Sequence, residues 1–347
     1  MKPNVNTIAT QRLINTAQAL FADGKGLLAM DESTPTCDKR FAKLGIPQTE
    51  EARRSYRELI VTTPSLNESI SGAILFDETI RQNKKDGTPL IKVLIDAGII
   101  PGIKVDKGTK DMAGHSDEKI TKGVDGLRER LSDYAAMDAR FAKWRAVIVI
   151  GDTIPTRACI EANAHALACY AALCQEVGLV PIVEPEVLMD GGHSLQRCAE
   201  VTEQVLHIVF DRLCRQGVML EGIILKPNMV LPGLNCQKQN PLNEVADATV
   251  KCLMRAVPAA VAGIAFLSGG QSGELASSRL NAMNLRFKER MPWPLGFSFS
   301  RAIQFPAMEI WRGEDDNVNV AQQALAHRAL CNRAARYGKY DASMERI

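Results

Sequence analysis

The chain has 347 residues, 46% hydrophobic and 24% charged, with 42 Lys and Arg against 40 Asp and Glu for a formal net charge of +2. That balance excludes a broad electrostatic pull toward nucleic acid or a membrane surface. No apolar run approaches the length of a membrane span, and Met1–Thr7 lacks the apolar stretch of a secretory leader, so the expectation is a soluble cytoplasmic protein.

In chain order, short apolar, β-branched runs alternate with longer helical patterns. The predicted strands are Gly26–Met30, Gly72–Phe76, Ile100–Val105, Arg145–Ile150, Leu179–Glu184, Gly222–Lys226, Gly263–Ser268 and Leu295–Ser300. Between or after them, helices are predicted over Thr49–Val61, Thr156–Val177, Ser194–Gln216, Asn243–Ala256, Ser272–Arg290 and Val318–Tyr337. Eight such β/α units without a low-complexity linker predict an α/β fold, a (β/α)8 TIM barrel forming one domain over residues 1–347. Residues 1–24 read as a helical extension ahead of the first strand, and 338–347 as a short tail. A doubly wound open sheet would carry Gly-x-Gly-x-x-Gly after its first strand, and none is present.

Charged residues lie in or beside these strands, where a purely structural barrel would place branched apolar side chains. Lys226 ends Ile223-Ile224-Leu225, sharing a face with Ile224. Desolvation there would lower its pKa and make it a nucleophile toward a carbonyl. The plainer alternative is a lysine that extends out of a strand end. Asp31 closes the first strand, Lys104 and Asp106 share a face, Lys143 and Arg145 share another, and Glu184 and Glu186 flank Pro185. Burying unpaired charges costs several kcal/mol each, so their recurrence on five strands points to a catalytic site.

The residue types suit imine chemistry. Glu184, with a pKa raised by burial, would shuttle protons while a carbinolamine loses water. Asp31 is the candidate base for a neighbouring hydroxyl. Lys143 would keep Lys226 neutral by like-charge repulsion and stabilise developing negative charge. Ser268-Gly269-Gly270 leads into a helix as an anion-binding turn, and Ser300-Arg301 follows the eighth strand. Loops after strands seven and eight of barrels often hold phosphate, so a phosphorylated substrate is expected. His115, His165, His193, His207 and His327 show no metal-ligand spacing, and the nine cysteines form no Cys-x-x-Cys pair. No metal and no cofactor are expected, and the thiols read as free.

These segments closely resemble class I fructose-bisphosphate aldolase. The matching motifs are Leu28-Ala29-Met30-Asp31-Glu32-Ser33-Thr34, Gly102-Ile103-Lys104-Val105-Asp106-Lys107-Gly108, Phe141-Ala142-Lys143-Trp144-Arg145, Ile182-Val183-Glu184-Pro185-Glu186, Leu225-Lys226-Pro227-Asn228-Met229 and Phe266-Leu267-Ser268-Gly269-Gly270-Gln271-Ser272. The resemblance implies reversible, metal-independent cleavage of fructose 1,6-bisphosphate to dihydroxyacetone phosphate and glyceraldehyde 3-phosphate. Lys226 would be the Schiff-base lysine and Glu184 the proton-transfer residue. Asp31 and Lys143 would assist bond cleavage, with Lys104, Arg145 and Glu186 in support. Ser268, Gly269, Gly270, Ser300 and Arg301 would surround one phosphate, and Ser33, Thr36, Lys39, Arg40 and Arg53 the other.

The resemblance also implies a homotetramer. Related readings keep the imine but prefer fructose 1-phosphate or sedoheptulose 1,7-bisphosphate, or keep the barrel as a non-enzymatic tetrameric scaffold. Pro35 and Ser300 stand where the family usually has glycine. Animal members end in a tyrosine that assists a proton step; here the last residues, Ser343–Ile347, contain none.

Overall fold

The computed structural model describes residues 7–346. Eight parallel strands close into a barrel: β1 (Gly26–Ala29), β2 (Ile70–Leu75), β3 (Ile100–Lys104), β4 (Phe141–Ile148), β5 (Val180–Val187), β6 (Ile224–Leu225), β7 (Gly263–Phe266) and β8 (Leu295–Phe299). Each pairs with its sequence neighbours, and β1 pairs with β8 through Leu27–Ser298 and Leu28–Phe299. This is the predicted (β/α)8 architecture.

The predicted helices occur with small changes at their ends. Glu50–Val61, Arg157–Glu176, Leu195–Arg215 and Gly273–Phe287 start after Thr49, Thr156, Ser194 and Ser272, whose hydroxyls each accept a backbone N–H three residues on. Capping those orphan donors is why the helices begin there. The pattern missed the helices Thr34–Lys43 and Arg301–Trp311, which start directly after strand-end site residues. It also missed an antiparallel hairpin, Thr109–Asp111 with Lys119–Thr121, standing after β3.

Inward and outward positions alternate along each strand. Trp144 of β4 points outward, stacked at 5.6 Å on Tyr170 of the next helix. The Tyr170 hydroxyl donates to the carbonyl of Ala142 at 2.7 Å. The lower barrel interior is apolar: Leu27, Ala29, Ile74, Phe141, Val180, Ile182, Ile224 and Ala265 form one buried cluster. Leu13, Ala17, Leu20 and Phe21 join it, so the helix Thr7–Ala19 and the turn after it close the bottom. Residues 1–6 of the predicted extension lie outside the described residues.

One size match decides how the interior fills. A Cβ on Gly102 of β3 would sit 2.1 Å from the Phe141 ring, so glycine there is what admits phenylalanine on β4. Phe141→Ala should therefore lower stability by about 3–5 kcal/mol, read from the midpoint of chemical denaturation. An unchanged midpoint would mean the ring fills no essential volume.

Candidate active site

Two steps along the same inward rows, the apolar interior gives way to charge. Leu27 and Ala29 lead to Asp31, Phe141 to Lys143 and Arg145, Val180 and Ile182 to Glu184 and Glu186, and Ile224 to Lys226. Strand β4 begins at Phe141, four residues before its predicted start. Lys143 and Arg145 are therefore within the strand, a correction to the sequence reading that set them at its entrance. Likewise the strand predicted to end at Glu184 runs on through Pro185 to Val187, so Glu186 is a strand residue as well.

Lys226, Glu184, Lys143 and Asp31 form a buried row of alternating charge. Lys226 Nζ lies 3.1 Å from Glu184 Oε1. Glu184 Oε2 lies 3.2 Å from Lys143 Nζ, off the hydrogen-bonding direction, and Lys143 Nζ contacts Asp31 Oδ2 at 2.5 Å. Burial opposes ionisation of Asp31, but the ammonium groups of Lys143 and Lys226 outweigh it and hold the carboxyl below its usual range. Burial also works against the Lys143 cation, and Asp31 and Glu184 override it, so its pKa is raised. Lys143 is thus an ion-paired ammonium at neutral pH.

On the neighbouring strands, Lys104 Nζ donates to Asp106 Oδ1 at 2.6 Å and to the Asp106 carbonyl at 2.8 Å. Arg145 is ion-paired to Glu186. Burial is the first influence on Arg145 and would lower its pKa; Glu186 prevails and raises it.

These groups open into a cavity of about 470 Å3 at the strand ends. Asp31, Lys104, Lys143, Arg145, Glu184, Glu186 and Lys226 line it, together with Ser33, Thr36, Lys39, Arg40, Ser268, Gly269, Ser300 and Arg301. At one end Gly269 and Gly270 have φ of +58° and +87°, a turn that glycine adopts without strain. Gly270 is not part of the lining, but its missing Cβ would be 3.5 Å from Arg301 Nη2. Arg53 is outside the cavity: it is 8% exposed and its guanidinium is taken up by Asp38 at 2.9 Å and Glu78 at 2.8 Å. The expectation that it borders a phosphate is corrected, because those carboxylates already occupy its planar fork.

Several supporting residues escaped the sequence reading. Glu32 is buried and pairs with Arg57 and Arg40, while Ser300 Oγ and Gln304 Nε2 donate to its Oε1 at 2.6 and 2.8 Å. Burial alone would raise the Glu32 pKa; Arg57 and Arg40 reverse this and depress it strongly. Through Glu32 the loop after β1 is tied to the loop after β8. Ser300, in the place of a glycine, uses its hydroxyl in this network.

Under the glycine turn, Gln271 Nε2 donates to the Ser268 carbonyl at 2.9 Å, and Gln271 Oε1 accepts from buried Arg279 at 2.8 Å. Asn228 locks the end of β5 to β6, accepting from Val187 N at 3.0 Å. Ser298 Oγ is buried without a partner. The only sequence signal for Glu32 or Gln304 was a polar residue beside an inward-facing position; they meet each other across 272 residues of chain.

Tyr337 and Tyr340 do not line this cavity, and the Tyr340 hydroxyl donates to Glu345. His327, Cys331 and a carboxylate oxygen of Glu345 come within 4.8 Å of one another, a grouping that spacing did not reveal. Glu345 is already bound there by Arg328 and Tyr340.

Breaking a buried pair by removing one partner costs about 3–5 kcal/mol, and Glu32→Gln should show a loss of that order near neutral pH. Because folding depresses the Glu32 pKa, its contribution is present above the ordinary value of 4.5 and is lost as pH falls through the folded value. The stability gap between parent and variant should thus narrow below about pH 4.5, measured by denaturation at several pH values. A gap independent of pH from neutrality to strong acid would contradict an ionised Glu32.

A profile of the family described as fructose-bisphosphate aldolase class-I matches residues 12–347. A probable fructose-bisphosphate aldolase class 1 of Xanthomonas campestris pv. campestris is 55% identical over 334 residues, covering 96% of this chain and 99% of that protein. The cytosolic fructose-bisphosphate aldolase 6 of Arabidopsis thaliana is 50% identical over 328 residues, covering 94% and 91%. A crystal structure of Plasmodium falciparum fructose-bisphosphate aldolase, in complex with TRAP and a small-molecule inhibitor, superposes with a TM-score of 0.95 at 47% identity and 96% coverage of both chains. With the barrel and its row of buried charges, these similarities establish that the chain belongs to the class I fructose-bisphosphate aldolase family.

Proposed function

We propose that this chain catalyses the reversible aldol cleavage of fructose 1,6-bisphosphate through a Schiff base on Lys226. The observation that carries the reading is the contact of Lys226 Nζ with Glu184 Oε1 at 3.1 Å, inside a row that continues through Lys143 to Asp31. Glu184 accepts a proton from the Lys226 ammonium, and the freed amine attacks the substrate ketone. Glu184 then returns the proton to the carbinolamine hydroxyl, which leaves as water to give the iminium.

The iminium draws the electron pair of the adjacent carbon–carbon bond into an enamine. At the same time Asp31, ionised beside Lys143, takes the proton of the hydroxyl that becomes the aldehyde. Lys143, held as a cation by Asp31 and Glu184, stabilises the negative charge that develops on that oxygen. Glyceraldehyde 3-phosphate departs; protonation of the enamine and hydrolysis of the imine release dihydroxyacetone phosphate and restore the amine.

Phosphate recognition follows the two ends of the cavity. Backbone N–H groups of the Ser268–Gly270 turn and Arg301 suit one phosphate. Ser33, Thr36 and Lys39 suit the other, with Lys104 and Arg145 along the carbon chain between them; Arg40, whose Nη1 donates to Ser300 Oγ at 3.3 Å, lies at the Arg301 end. Burial and the neighbouring Arg40 cation disfavour charge on Arg301 and outweigh Glu186 and Asp190, so an arriving phosphate would add favourable negative charge at this end. A homotetramer and a cytoplasmic location complete the reading. The Arabidopsis and spinach relatives are named cytosolic and cytoplasmic forms, and no helix among the described residues is long and apolar enough to cross a membrane.

Borohydride reduction with dihydroxyacetone phosphate, followed by peptide mass mapping, should place a stable adduct on Lys226 and none in Lys226→Ala. An adduct on another lysine would overturn the assignment. Glu184→Gln should slow imine formation by about 10²–10⁴-fold while leaving Lys226 trappable at long times. Trapping at the parental rate would remove Glu184 from the proton relay.

A further inference from the structure

On the opposite face of the barrel, where the strands begin, a second cavity of about 320 Å3 lies between the start of β8, the turn before β1 and the end of the helix Val318–Arg336. Its lining includes Gly24, Asn284, Lys288, Trp293, Arg336 and Tyr337. Arg336 is 9% exposed. Its Nη1 donates to the Phe21 carbonyl at 3.2 Å and to the Lys25 carbonyl, which fixes the guanidinium against the bottom lid. Among the described residues no acceptor meets the remaining N–H groups. Burial lowers the Arg336 pKa to about 10, and no carboxylate acts against it.

Three more cations converge beside it on the half-exposed Tyr337 ring. Lys288 Nζ is 5.9 Å from the ring centre, Arg333 Cζ 6.0 Å and Lys339 Nζ 6.0 Å. Among the described residues none of the four forms an ion pair, whereas the buried Arg53, Arg57 and Arg328 each meet a carboxylate. Contact with an aromatic face offsets some of the cost of gathering like charges, but it neutralises none of them. A buried guanidinium without a counter-charge is expensive, and Arg336 and Lys288 in the lining, with Arg333 and Lys339 against the Tyr337 ring, build a positive potential at this cavity. Among the described residues no carboxylate is paired with them, so an anion arriving from solution would supply the counter-charge.

We propose that this cavity is a second anion site, which takes the phosphoryl groups of a small phosphorylated molecule. Arg336 and Lys288 would grip the phosphoryl oxygens, with Arg333 and Lys339 at the rim. The volume is that of a small-molecule pocket. The Tyr337 ring is packed so closely on Gly24, where a Cβ would lie 2.3 Å from it, that this wall is fixed before any ligand arrives. The site shares no residue with the cavity around Lys226, so binding here and cleavage there are separable.

Pyrophosphate is the probe, and hydrogen–deuterium exchange of the full chain is the readout, because it reports the two faces separately. Pyrophosphate should slow exchange over residues 333–340 as well as over 268–272. The double variant Lys288→Glu, Lys339→Glu, altered only at exposed positions, should weaken protection of 333–340 by about tenfold or more. Its protection at 268–272 and its kcat for the aldol reaction should be unchanged. Arg336→Gln should abolish the effect at 333–340 as well. Two results overturn the proposal: no protection of 333–340 at pyrophosphate concentrations that protect 268–272, or equal protection in parent and double variant.

Discussion

Four ionisable side chains, Asp31, Lys143, Glu184 and Lys226, are buried together in the barrel interior, and they coexist only because their charges alternate. Remove one and a neighbour is left as a buried, uncompensated ion, which is far more costly than the pair is favourable. The rest of the upper barrel is arranged around this constraint. Strands β1, β4, β5 and the end of β6 must hold their register closely enough for the four groups to stay within contact. Tyr170, bridging the carbonyls of Ala142 and Ile182 from outside, and Asn228, tying Val187 to the loop after β6, do that holding.

The same row explains a division of labour between two lysines. Lys143 has two carboxylate partners and is a settled cation, suited to stabilising an oxyanion. Lys226 has one, Glu184, which it must share, and so sits where a single proton transfer frees its amine. Like-charge repulsion between the lysines, expected from the sequence, is largely screened by Glu184 lying between them. In the proposed relay the Glu184 carboxylate is the hub, because it contacts both lysine amines.

Around this centre, the loops proposed to hold phosphate are braced from behind. Glu32 joins the loop after β1 to the loop after β8 through Arg40, Ser300 and Gln304, and Gln271 with Arg279 supports the carbonyl of Ser268. Such a frame spares the loops the ordering cost that would otherwise accompany phosphate binding. On the far face, Arg336 anchors the lid that closes the apolar interior, so the barrel has cationic features at both ends with an apolar layer between them.

The sequence by itself determined the architecture and most of the cavity. Eight apolar runs spaced by helical patterns specify a closed barrel, and period-two alternation turns a list of strand-end charges into a common inward face. Lys226, Glu184, Asp31 and Lys143 were legible because a charged residue in an apolar row has few explanations other than chemistry. Pairing was not legible, since it depends on register between strands far apart in the chain. Only the tertiary structure decided that Arg53 is paired with Asp38 and Glu78 outside the cavity lining, that Lys143 lies within β4, and that Glu32 unites two loops. Local pattern reports which way a side chain points; which opposite charge it meets is set by how the barrel closes.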